Sequence, residues 1–142
     1  MCANSGIDLS NVERGYAALL PLDSDRSARR IRDIVRAKLG VTVGVIVSDT
    51  FGRPWRKGLT DVAIGVAGIA GVVDLRGTED ALGRVMQVTE VAVADELACA
   101  AELVMGKSTG VPVAIIRGAD PMWFRDSSMD EIVRPPSEDL FR

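Results

Sequence analysis

Residues 45–58, Val-Ile-Val-Ser-Asp-Thr-Phe-Gly-Arg-Pro-Trp-Arg-Lys-Gly, constrain the fold more than any other stretch of the chain. From Val41 to Ser48 the residues are nearly all apolar or β-branched, which predicts a strand covered on both faces. That strand is expected to end at Asp49 and Thr50, delivering a carboxylate and a hydroxyl side by side, with Arg53, Arg56 and Lys57 close behind. Hard oxygen ligands beside cations form a place that can hold a metal and a phosphate together.

The flanking segments supply the layers such a strand needs. Residues 24–39 place Ala28, Ile31, Ile34, Val35 and Leu39 at helical spacing, with Asp23 or Ser24 as the cap and Gly40 as the stop. Residues 61–71 are apolar with glycine at 65, 68 and 71, a pattern that fits either a strand or a glycine-rich turn against a ligand. From Thr78 the pattern predicts a long core helix, with a break near Gly83, running to a stop at Gly106. Val111 to Arg117 reads as a second β-type run, and residues 119–142 as an irregular tail rich in proline and polar residues. The fold class predicted is α+β in a single domain over 1–142, with a mixed sheet that includes 41–48 and 111–117 packed on the long helix.

Composition narrows the chemistry. The 142 residues contain no histidine, so imidazole is removed from every role as base or soft-metal ligand, and any metal must sit among oxygens. Only Cys2 and Cys99 are present, in no metal-binding spacing, which points to a reducing, cytoplasmic setting without a disulfide framework or zinc site. A net charge of −3 argues against nucleic acid as the main partner. No apolar run reaches the length of about 18 residues that a bilayer span needs, and no membrane association is expected.

Each candidate site also has a structural alternative. Asp8 and Asn11, within Asn4-Ser5-Gly6-Ile7-Asp8-Leu9-Ser10-Asn11, suit a metal and a nucleotide, or a turn in which these side chains bond their own backbone. Asp49 and Thr50 suit Mg²⁺ or Mn²⁺, or a helix N-cap. Arg53, Arg56 and Lys57 suit an anion, or a solvated loop. Gly106-Lys107-Ser108 resembles the end of a P-loop, but Ala101 stands where the first glycine belongs and the segment follows a helix, so that assignment is rejected. Glu90, Asp95, Glu96 and Glu102 read as the solvated face of the long helix.

Taken in order, residues 2–11, Ser-Asp-Thr-Phe-Gly-Arg-Pro-Trp-Arg at 48–56, Asp-Val-Ala-Ile-Gly-Val-Ala-Gly at 61–68, Val-Ala-Asp-Glu-Leu-Ala at 93–98 and Ala-Glu-Leu-Val-Met-Gly-Lys at 101–107 resemble the coenzyme F420-0:L-glutamate ligase family. The likeness runs over nearly the whole chain. It implies the fold of that family, a homodimer, and GTP-dependent addition of L-glutamate to F420-0, first as an amide on the lactyl carboxylate and then through γ-linkages. The implied cofactors are Mg²⁺ or Mn²⁺ in a two-metal site, with K⁺ as a further candidate. By motif, Asp8, Asp49 and Thr50 take the metal positions, Asn11 contacts GTP, and Met105, Gly106, Lys107 and Ser108 fall where the family meets nucleotide again. Arg53, Arg56 and Lys57 are assigned to anion or substrate binding from charge and position alone.

The family carries about 100 further residues ahead of this segment, which include phosphate-binding parts, and some relatives carry a nitroreductase-like domain after it. The resemblance therefore sets a ligase against an alternative, a noncatalytic nucleotide- or metal-binding or oligomerisation fragment that needs a separate N-terminal segment.

Overall fold

In chain order, residues 7–139, which the computed structural model describes, begin with a two-residue ladder of β1 (Ile7–Asp8) against β2 (Ala18–Leu19). Helix α1 (Ser24–Leu39) follows where the apolar spacing predicts it. The Asp23 side chain accepts the Arg26 N–H at 2.7 Å, and the Gly40 N–H closes the other end on the Arg36 carbonyl at 3.0 Å. Asp25 in the first turn and Arg36 and Lys38 in the last complement the helix dipole. Asp25 also ties α1 to the rest of the molecule, because its two oxygens accept the Val66 N–H at 2.8 Å and the Met129 N–H at 3.0 Å.

The central element is a long antiparallel hairpin of β3 (Val45–Gly52) and β4 (Leu59–Ala67). The glycine-bearing run 61–71 thus resolves largely as strand. Its register pairs Val47 with Gly65 but Ser48 with Ala63, so Ile64 is an extra residue on β4. Such a bulge resets which residues lie opposite one another. Beyond it Thr50 faces Asp61, and Ser48, Thr50 and Asp61 share one face of the hairpin. Both helices pack on β4: α1 and α2 (Val93–Met105). Ala63, Val66, Ile69 and Ala94 form the core, with Ile46, Leu97, Trp123, Met129 and Ile132 packed against it.

Four expectations are corrected. The strand does not stop at Ser48 but continues through Gly52, so Asp49 and Thr50 lie inside it and cap no helix. The long helix covers only Val93–Met105, with Ala92 ahead of it giving no side-chain cap. Residues 78–92 instead form turns and a short ladder of β5 (Val73–Asp74) with β6 (Glu90–Val91). Local side chains outcompete the helix there: Asp80 Oδ1 accepts the N–H groups of Leu82 and Arg84, and Thr78 Oγ1 donates to the Leu75 carbonyl. Residues 111–117 form no strand, for their β-type composition finds no partner ladder among the described residues, and Val113 and Ile115 are 72% and 79% exposed. A mixed sheet is likewise not observed, since every described strand pair is antiparallel.

The segment after 118 is irregular but integral. It makes short 3₁₀ turns at Pro121–Trp123, Met129–Glu131 and Pro136–Glu138. The Trp123 carbonyl accepts the Ala70 N–H at 2.7 Å, and the Ser127 hydroxyl donates to the Ile69 carbonyl. Glu131 accepts the N–H groups of Gly71 and Val72, each at 3.2 Å, and pairs with Arg125, whose Nη2 donates to it at 2.8 Å. The Arg125 hydrogen bond, reinforced by the backbone N–H groups of Val72 and Gly71, holds the Glu131 carboxyl below the usual glutamate range.

A depressed folded-state pKa stabilises the fold above the unfolded-state pKa, and that stability is lost as pH falls through the folded value. Acid titration of Glu131→Gln against the parent chain is therefore expected to show a stability gap that is constant near neutral pH. The gap should close as pH drops below the ordinary glutamate pKa of about 4.3. A gap that stayed constant down to strong acid would contradict this account of the clasp.

Candidate functional site

The face of the hairpin that bears Thr50 meets the C-terminal end of α2. Between them lies an open cleft of about 170 Å³, lined by Asn11, Ser48, Asp49, Thr50, Asp61, Glu102, Met105, Gly106 and Lys107. Pockets that take a whole drug-sized ligand run to about 300–1,000 Å³, so this cleft has room for the charged end of a ligand and a cation, not for an entire nucleotide.

Thr50 is at its centre. Its hydroxyl donates to Asp61 Oδ1 at 2.9 Å and accepts from Lys107 Nζ at 3.0 Å. Asp49 Oδ1 accepts the Thr50 N–H at 2.7 Å, which keeps that carboxylate beside the same residue. Asp61 is 6% exposed and also accepts from Ser48 Oγ at 3.0 Å. Its carbonyl accepts from Cys99 Sγ at 3.0 Å, so α2 holds the backbone of β4 directly beneath the site. Asp95 in the first turn of α2 accepts the Ala63 N–H at 2.9 Å, next to the bulge.

The loop after α2 is aimed by its glycine. Gly106 has φ 61° and ψ 152°, a conformation essentially confined to glycine, and an added Cβ would meet Thr109 Cγ2 at 2.9 Å. Thr109 Oγ1 donates to the Met105 carbonyl and closes the turn. This backbone points Lys107 at Thr50. Gly106→Ala is expected to withdraw Lys107 from Thr50 at a strain cost of about 1–3 kcal/mol, which thermal unfolding of the variant beside the parent chain checks.

Asn11 joins from the other end of the chain. It adopts φ 54°, which asparagine tolerates, and its Nδ2 donates to the Lys107 carbonyl at 3.0 Å. Asp8 Oδ1 accepts the Ser10 N–H at 2.7 Å, so the turn expected of this segment is present. Hydrogen bonds from Ser10, with the charge of Lys107 adding to them, hold the Asp8 carboxyl below the usual aspartate range. Asp8 is therefore ionised at neutral pH beside the cleft, although it does not line it.

A sequence profile of the F420-0:Gamma-glutamyl ligase family matches residues 1–118. The chain belongs to that family. It is 48% identical over 143 residues to proteins named coenzyme F420:L-glutamate ligase from Methanococcus maripaludis and from Methanocaldococcus jannaschii. It is also 48% identical, over 146 residues, to the protein of the same name from Methanopyrus kandleri. All of this chain aligns, but it spans only 57–58% of the length of these curated relatives.

For this glutamyl-ligase family member, the structure brings together Asn11, Asp49, Thr50, Met105, Gly106 and Lys107, with Asp8 adjacent. Ser108 follows in the next turn and does not line the cleft. Arg53, Arg56 and Lys57 stand on the exposed loop between β3 and β4, outside the lining. Asp61 and Glu102 were not legible as site residues: Glu102 reads as part of a solvated helix face, and Asp61 as the start of an apolar run. The available signal was a carboxylate inside an otherwise apolar strand. Glu90 and Asp95 also depart from the solvated-helix expectation, since Glu90 lies in β6 and pairs with Arg76 at 3.1 Å while Asp95 bonds β4.

The donor set fits a hard divalent cation. Oxygen ligands surround Thr50, and an ammonium already sits on its hydroxyl as a cation would. No group of three or more Asp, Glu, Cys or His side chains converges to cage a metal among the described residues. Mg²⁺ sites commonly take only one or two carboxylates and complete their shell with water and substrate phosphates. No helix among the described residues is long and apolar enough to cross a membrane.

Proposed function

We propose that this chain carries the metal- and nucleotide-phosphate-binding half of a ligase that adds L-glutamate to coenzyme F420-0 with GTP as co-substrate. The observation that carries the proposal is the convergence of Asp49, Thr50, Lys107 and Asn11 in one cleft, the segments whose motifs match the family. Asp8, Asp49 and Thr50 would hold Mg²⁺ or Mn²⁺, which when bound neutralises charge on the phosphates. Lys107 offers a compact point charge to a phosphate oxygen, and Asn11 fixes the loop that carries it. Met105, Gly106 and Ser108 supply backbone and hydroxyl contacts around the same loop, and Arg53, Arg56 and Lys57 present an anion-attracting rim from the hairpin tip.

Joining two anionic substrates beside a triphosphate requires this concentration of positive charge. The F420-0 carboxylate takes the γ-phosphoryl group of GTP with release of GDP, and the glutamate amine then attacks the acyl phosphate, expelling inorganic phosphate and losing a proton to give the amide. The proposal includes a homodimer in a cytoplasmic setting. Exposed Leu9, Leu19, Val113 and Ile115, each more than 70% accessible, support a partner surface.

The test is incubation of the chain with F420-0, L-glutamate, GTP and Mn²⁺, followed by mass spectrometry. A product heavier by one or more glutamyl units is the expected result. Absence of any such gain in both this chain and a longer polypeptide bearing a family N-terminal segment would overturn the ligase reading.

A further inference from the structure

We propose that Asp61 is a positioning residue that sets the direction of the Thr50 hydroxyl, so that an oxygen lone pair of Thr50 faces the cleft and accepts a cation. This rests on the cation-binding reading of the cleft given above and extends it to a residue outside the metal-motif positions.

The argument starts from a cost. A carboxylate 6% exposed loses several kcal/mol of hydration unless strong partners replace it. No salt bridge includes Asp61 among the described residues, and the partners of its oxygens are two hydroxyls, Thr50 at 2.9 Å and Ser48 at 3.0 Å. On β4 Asp61 stands two residues before the core residue Ala63, yet its side chain lines the polar cleft with Ser48, Thr50 and Lys107. A buried charge kept by hydroxyls does little for stability that a hydrophobic residue would not do better.

Hydrogen-bond directions then follow from chemistry. A lysine ammonium only donates, and a threonine hydroxyl has one proton and two lone pairs. With Lys107 Nζ at 3.0 Å on one side, Thr50 Oγ1 must accept there, and its single proton must go to Asp61 Oδ1. Ser48 likewise directs its proton to Oδ2. An ionised carboxylate accepts both protons at once and offers none in return, so neither hydroxyl can rotate its hydrogen into the cleft. The lone pair that accepts from Lys107 Nζ is one that Thr50 turns away from Asp61. Opposite placement of Thr50 and Asp61 in the hairpin register builds this arrangement into the backbone.

The probe is Mn²⁺ alone, titrated into the full chain and followed by the electron paramagnetic resonance of free Mn²⁺. Asp61→Asn and Thr50→Val are each expected to weaken Mn²⁺ binding about 10–100-fold. The double variant should be no weaker than Thr50→Val, because Asp61 acts through that hydroxyl. Ser48→Ala, a milder change at a half-buried position, should weaken binding about threefold in the parent background and not at all in Thr50→Val. It serves if Asp61→Asn does not fold.

Additive losses in the double variant, or an effect of Ser48→Ala that persists in Thr50→Val, would overturn the proposal. So would a lowered thermal midpoint of Asp61→Asn with unchanged Mn²⁺ affinity, which is the signature of a structural role. A parent chain that binds no Mn²⁺ would remove the cation-binding reading and this inference together. Mn²⁺ binding that is intact in the parent but indifferent to Asp61 removes the inference only.

Discussion

Gly65→Ala is expected to lower the stability of the chain by about 3 kcal/mol, the upper end for forcing an extra methyl into a packed interior. A Cβ at this position would lie 2.4 Å from the Ser24 carbonyl carbon, 2.5 Å from its oxygen and 2.7 Å from its Cβ. Two of these are backbone atoms in the first turn of α1, so no side-chain rotation relieves the clash. The helix would have to lift from β4, and Asp25, one residue on, would lose its bonds to Val66 and Met129.

Thermal unfolding should show a midpoint lower by roughly 10 °C for a domain of this size. Gly71→Ala is the comparison, since its Cβ would meet only side-chain atoms of Glu131 and Ile132, the nearest at 3.2 Å, and these can yield. Equal losses in the two variants would show that contact with the α1 backbone is not what demands glycine at 65.

Asp49→Asn is expected to reduce Mn²⁺ affinity, and with it the glutamate addition proposed above, by about 100-fold or more, the upper end of what even indirect supports of metal ligands contribute. The change is nearly isosteric, and the new amide oxygen can still accept the Thr50 N–H, so unfolding temperature should move little. What it removes is the negative charge beside Thr50. A variant that kept metal affinity but lost activity would separate Asp49 from the cation and leave it a role in substrate placement. Unchanged activity would set aside the proposed site as a whole.

How much of this was legible in the sequence differs from element to element. Helix α1 could be read to its caps because Asp23 and Gly40 act locally, through bonds that span only three or four residues. The stretch 78–92 misled because its apolar residues recur at helical spacing while Asp80 and Thr78, equally local, favour turns. Val111 to Arg117 has strand composition, yet a strand exists only with a partner, and composition does not name one.

Within the site, Asp49 and Thr50 stand out where an apolar run meets polar and cationic residues, whereas Lys107 comes only from the family resemblance. Asp61 became visible only through register: the extra residue at Ile64 sets it opposite Thr50, and no periodicity in β4 announces a bulge. Asp95 was misread for a related reason, since its partner is the Ala63 N–H, 32 residues away.

The bond from Asn11 to the Lys107 carbonyl bridges 96 positions of sequence. Closing so wide a ring carries an entropic cost, which the packing of β4 and α2 inside the span reduces. A cation or phosphate held there, as proposed, would act as a rivet between the two segments, since it favours only chains in which they have already met. Occupancy should then be readable as protection of amide hydrogens from exchange far from the cleft, turning ligand capture into a gauge of global cohesion.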